Sequence, residues 1–148
     1  MTPMREVAFH FNVPDRLGYA CRLLRKAAAG GAQVAVTAPP EVLRQLDTLL
    51  WTFSQTDFVP HALATAEAAV RAASPILLCT AAQEAPHRQV LLNLGDDVPS
   101  GYEEFERLIE IVSAQGEDRQ NARARWKHYT ELGLPLTRHD QAAKEGGA

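Results

Sequence analysis

Cysteine is scarce, with only Cys21 and Cys79, far apart and flanked by apolar residues. Two thiols so placed do not build a disulfide scaffold and cannot complete a zinc site alone. No apolar run reaches the roughly 18 to 20 residues of a membrane span. The first residues, MTPMREVAFHF, lack a long apolar stretch before a small-residue cleavage site, so no signal peptide and a cytoplasmic location are expected. Phosphate-binding glycines are missing too. The turn after the first β-rich run reads FNVPDRLGYA, where a dinucleotide site would need backbone amides free to approach a pyrophosphate. No GxxxxGK[ST] loop and no G-x-S-x-G serine occur.

What is present suffices for one core. The chain has 148 residues, 46% of them hydrophobic and 22% charged, which excludes disorder of the whole chain. Net charge is −3, too acidic for a protein that coats nucleic acid through bulk charge. The charge is uneven, however. Gly101 to Asp118 carries −5, and Arg119 to His139 carries +4 from Arg119, Arg123, Arg125, Lys127 and Arg138 against Glu131. A local basic surface on an acidic protein suits one acidic ligand better than a long phosphate backbone.

The element pattern is α/β. EVAFHFNV (Glu6 to Val13) predicts a strand. Pro14-Asp15 opens a helix with an apolar face from Leu17 to Ala28, ended by Gly30-Gly31. QVAVT predicts a second strand, and Pro39-Pro40 leads into the helix EVLRQLDTLLW. Strand–helix–strand–helix implies helices packed on a largely parallel sheet. Alanine content predicts a helix over Ala62 to Ala73. ILLCT (Ile76 to Thr80) and QVLLNL (Gln89 to Leu94) predict strands, joined as a hairpin or a compact crossover. Two C-terminal helices are expected. The first starts at a Ser100–Glu103 capping box and carries Tyr102, Phe105, Leu108, Ile109 and Val112; the second runs from an Asp118 cap to Gly133. Residues 141–148 are small and polar and are expected to form a loose tail after a domain of residues 1–140.

Catalytic signals are weak. Asp96 and Asp97 follow a strong strand, and with His10 they admit an alternative reading as a small metal-dependent enzyme. A polar turn into Pro99 accounts for the same acids. The five histidines show no ligand spacing with the cysteines.

The stronger signal is a surface. Arg119, Arg123 and Lys127 recur every four residues beside Trp126, and Val112 can approach the same area. Cations attract carboxylates, and an aromatic wall shelters an apolar side chain. An ordinary amphipathic helix with a solvated basic face has the same spacing, and spacing alone does not separate the two. Trp51, Phe53 and Phe58 fall within eight residues at a helix end, as core or as exposed anchors.

Two blocks carry a family resemblance: LDTLLWTFSQTDFVPHAL, with its leucine-rich helix, tryptophan, polar turn and F-V-P-H, and ARARWKHYTELGLPL, with an A-R-x-R-[YW]-K-x-Y-x-x-x-G-x-x-L pattern. The sequence resembles the chi subunit of bacterial DNA polymerase III over nearly the whole chain to about Thr137. The resemblance implies a single Rossmann-like α/β domain without a nucleotide site, no catalysis and no cofactor. It implies an adaptor that binds the acidic C-terminal tail of single-stranded DNA-binding protein (SSB) through Val112, Arg119, Arg123, Trp126 and Lys127. A second surface near Trp51 and Phe58 would bind the psi subunit, where one exists, and so reach the clamp loader. DNA would be met only through SSB. The alanine-rich Ala62 to Ala73 stretch departs from the glycine-richer loop of the family.

Overall fold

Every strand among the described residues lies in one parallel sheet, as a computed structural model shows for residues 4–52, 60–63, 66–68 and 74–142. The strands are β1 (Glu6–Val13), β2 (Val34–Thr37), β3 (His61–Leu63), β4 (Ile76–Cys79), β5 (Val90–Asn93), β6 (Arg107–Ser113) and β7 (Leu136–Asp140). Their spatial order is β3-β4-β2-β5-β6-β1-β7. Among the described residues three helices cover the faces: α1 (Arg16–Ala29), α2 (Pro40–Thr52) and α3 (Gly116–Glu131). Among the described residues, no helix is long and apolar enough to cross a membrane.

Both faces are sealed, as an all-parallel sheet requires. On one side Leu24 of α1 and Leu46 and Leu50 of α2 pack on Val36, Leu78, Leu92 and Ile111. On the other, Ala122 and Tyr129 of α3 pack on Phe9, Leu91, Leu108 and Val112. Central β2 and β5 are buried at every position, which explains their unbroken apolar spelling. Asp15 caps α1, its carboxylate accepting from the Gly18 amide at 3.1 Å. A Cβ at residue 18 would collide with that carboxylate, so the cap and the glycine belong together.

β1 changes face partway along. Its pairing with β6 runs His10 with Ile111 and then Val13 with Ser113, so β1 holds one extra residue. Asn12 absorbs it at φ +59°, a left-handed conformation that asparagine tolerates. Val7, Phe9 and Phe11 face α3, whereas Val13 joins the α1 core.

Four expectations need correction. The first of the two predicted C-terminal helices is absent: a short 3₁₀ turn (Tyr102–Glu104) leads into strand β6. Ser100 accepts from the Gln83 amide at 3.0 Å and caps nothing. Leu108 and Val112 face α3 while Ile109 and Ile111 face α1, a period of two that suits β-branched residues buried on both sides. Second, β4 and β5 form no hairpin, because β2 lies between them and pairs with both in parallel. Third, the predicted Ala62 to Ala73 helix begins instead with strand β3, since pairing with Ile76, Leu77 and Leu78 outweighs alanine's weak helical preference. Residues 64–65 and 69–73 of that stretch lie outside the described residues. Fourth, Leu136–Asp140 forms edge strand β7 on β1.

The last helix starts two residues before Asp118, which sits in its first turn and accepts from the Ser113 amide at 2.6 Å. Gly133 ends it at φ +71°: its amide bonds to Thr130 and the Leu134 amide to Tyr129, satisfying two final carbonyls. Of the expected tail, residues 143–148 lie outside the described residues, and Gln141 is buried.

Candidate functional site

Where α3 crosses β1 and β7, a cleft of about 350 Å³ opens. β1 supplies Phe9 and Phe11, β6 Val112, α3 Arg119, Ala122, Arg123 and Trp126, and β7 Arg138. The α3 residues share one face because they recur at three- and four-residue steps. Val112 and Ala122 are buried and floor the cleft. The half-buried Trp126 ring meets Phe9 edge-on, 5.0 Å between centroids, so an aromatic wall stands on that floor. The Arg138 guanidinium lies 5.2 Å from the Phe11 ring and 5.9 Å from Trp126. Arg119, Arg123 and Arg138 are exposed at the rim, and none has a carboxylate partner among the described residues.

Val112, Arg119, Arg123 and Trp126, named from sequence, therefore meet in one place. Lys127 is exposed but does not line the cleft. Each four-residue step turns about 40° past a full circle, so the third member of the row drifts off the face. Phe9, Phe11 and Arg138 were missed. Phe9 and Phe11 alternate on β1 and so had to share a face; Arg138 had no such signal while β7 went unrecognised.

Arg125 belongs to the interior, not to the basic surface. Its Nε donates to Glu110 at 3.1 Å and its Nη1 to the Asp96 carbonyl at 2.6 Å. Glu110 also accepts from Tyr129 Oη at 2.6 Å and Asn93 Nδ2 at 3.0 Å. Burial pushes the Glu110 carboxyl up despite these donors.

A second concavity, of about 450 Å³, sits at the carboxyl ends of adjacent strands β1 and β6, where α1 and α3 depart to opposite faces. Such a crevice is the usual ligand position in this architecture. Here Asp15, Asp96, Glu117 and Asp118 line it against Arg16. Asp15 takes the Gly18 amide in the first turn of α1, Asp118 takes the Ser113 amide at the end of β6, and the charge of these acids would repel a phosphate.

The alternative metal reading finds no geometry. Asp96 and Asp97 meet Arg125 and Asn93 through their carbonyls. His10 bonds to Tyr19 and stacks on His139 at 4.6 Å. Among the described residues no group of three or more His, Cys, Asp or Glu can hold a metal.

Trp51 projects from α2 with 60% of its surface exposed, its ring edge-on to His61 at 5.4 Å. Phe58 lies outside the described residues.

Fold and cleft together define a class: a parallel, doubly wound α/β domain whose nucleotide crevice is occupied by acids and whose cationic, aromatic-lined cleft lies elsewhere. Residues 4–137 match the family model of the DNA polymerase III chi subunit, HolC, and the chain belongs to that family. It is 37% identical over 125 residues to the DNA polymerase III subunit chi of Pseudomonas aeruginosa, covering 84% of this chain and 85% of that one. Membership places the chain among the subunits of DNA polymerase III, with a role in DNA replication.

Proposed function

We propose that the cleft binds the acidic C-terminal tail of SSB and that the protein is a non-catalytic adaptor. A link through Trp51 and Phe58 to the psi subunit would tie SSB to the clamp loader. DNA is then reached only through SSB, and the compartment this reading assigns is the cytoplasm. The observation that carries the proposal is the convergence of Val112, Arg119, Arg123 and Trp126, from two elements, on one cleft with an apolar floor and a cationic rim. An extended peptide with acids ahead of an apolar end fits that division. The exposure of Trp51 supports the second surface, since a large aromatic left in water is a common interface anchor.

Each exposed ion pair contributes roughly 0.2 to 1 kcal/mol, so a single tail binds modestly and is weakened by salt. An SSB oligomer presenting several tails raises the effective concentration. The test is fluorescence anisotropy with an aspartate-rich peptide ending in phenylalanine. Arg123→Ala is expected to weaken binding several-fold with the fold intact. Unchanged binding would remove this site from consideration.

A further inference from the structure

The third cation of the cleft comes from the sheet edge. We infer that Arg138 of β7, rather than Lys127 of α3, receives the terminal carboxylate of the peptide bound in the cleft. This rests on the reading above and names which group takes which charge.

The argument starts from the floor. Phe9, Val112, Ala122 and Trp126 form the apolar part of the cleft and are where an apolar terminal side chain would be buried. The α-carboxylate hangs from the same Cα as that side chain, so it emerges at the mouth of the floor. Arg138 is the rim cation seated on aromatic rings of the lining, over Phe11 and Trp126. Stacking restricts its rotamers, so less freedom is lost when its planar fork closes on a carboxylate. The low-polarity faces beneath it also screen that pair less than open water would.

Arg119 and Arg123 suit a different task. They stand one turn apart on α3, about 6 Å along the axis. Alternate residues of an extended peptide are about 6.6 Å apart, so acids upstream of the terminus match this pair. Lys127 is not among the residues that line the cleft. The peptide would therefore start along α3 and end against β7.

The inference is tested with the free-acid peptide and its C-terminal amide, titrated by anisotropy into the wild-type chain, Arg138→Gln, Arg138→Lys and Lys127→Gln. The wild type should prefer the acid at least about fivefold, as a bidentate charge-assisted contact implies. Arg138→Gln should erase that preference by weakening the acid only. Arg138→Lys, which keeps charge without the fork, should retain part of it. Lys127→Gln should leave it unchanged. A full preference surviving in Arg138→Gln, or lost in Lys127→Gln, overturns the inference while the site stands. A wild-type chain that binds neither peptide overturns both.

Discussion

Arg123 and Arg125 stand two positions apart on α3 and serve opposite media. Two residues turn a helix by roughly 200°, so one side chain must face out when the other faces in. Arg123 lines the open cleft. Arg125, 1% exposed, is locked to Glu110 beneath the same helix. The buried pair fixes α3 on the sheet, and Tyr129 on the same acid fixes its rotation. The cleft face of α3 is thereby set from inside the protein.

Removing one partner of that pair should therefore be severe. Arg125→Ala strands the Glu110 charge, and losing half of a buried pair costs about 3 to 5 kcal/mol. At this chain length each kcal/mol lowers Tm by about 2 to 4 °C. Thermal and urea unfolding check the value, and a loss under about 1 kcal/mol would contradict the buried-pair assignment. Glu110→Leu combined with Arg125→Met should recover only part of the loss, because the Tyr129 hydroxyl then lacks its acceptor.

Much of the first half was legible in the sequence. Glu6–Val13 coincides with β1, and the caps at Asp15 and Gly30 mark α1 because both act through local backbone bonds. The end was harder. Tyr102, Phe105, Leu108, Ile109 and Val112 fall at helical steps, yet the strand they enter is buried on both faces and so, between its polar ends Arg107 and Ser113, has no polar position but Glu110 to reveal its period. Glu110 is one of six acids in the segment from Gly101 to Asp118, and its partner is fifteen residues on. β7 is short, polar and at an edge, where pairing with β1 rather than burial defines it. Missing β7 hid Arg138, which lines the cleft, whereas Lys127 of the α3 row does not.

Acid should act on the β4–β5 connection through Glu84. Partial burial alone would raise this carboxyl, but bonds from the Ala81 amide, the Thr80 hydroxyl and the Thr80 amide outweigh it and hold it below the usual range. A depressed folded value stabilises above the unfolded value, near 4.3, and the contribution is lost as pH falls through the folded one. Glu84→Gln should lower stability at pH 7 and flatten its decline below about pH 4. Urea unfolding across pH 3 to 7 reads this, and parallel curves for the two chains would argue against it.

Neither cysteine should react in the folded state. Burial, with Asp15 nearby, pushes Cys21 up to about 11; burial, with Glu84 nearby, pushes Cys79 up to about 12. Both are buried, and thiolate is the reactive form. Ellman's reagent at pH 8 should titrate no thiol in native protein and both in guanidinium. Rapid native labelling of either would mean that its part of the sheet opens readily.

Trp126 joins the two parts of the cleft, since it walls the apolar floor and carries the Arg138 guanidinium. Trp126→Ala should remove the wall and release Arg138 into solvent, so peptide binding should fall at least about tenfold, more than for either arginine alone. Stability should drop less, by about 1 to 2 kcal/mol, because the ring is only half-buried. Trp126→Tyr keeps an aromatic face against Phe9 and under the guanidinium, and should bind within about threefold of the wild type. Anisotropy titrations of the three chains at low and high salt separate the contributions. Salt should weaken binding by the wild type and Trp126→Tyr chains alike, because the rim cations remain. If alanine binds as well as tyrosine, the aromatic wall has no part in recognition and only the cations hold the ligand.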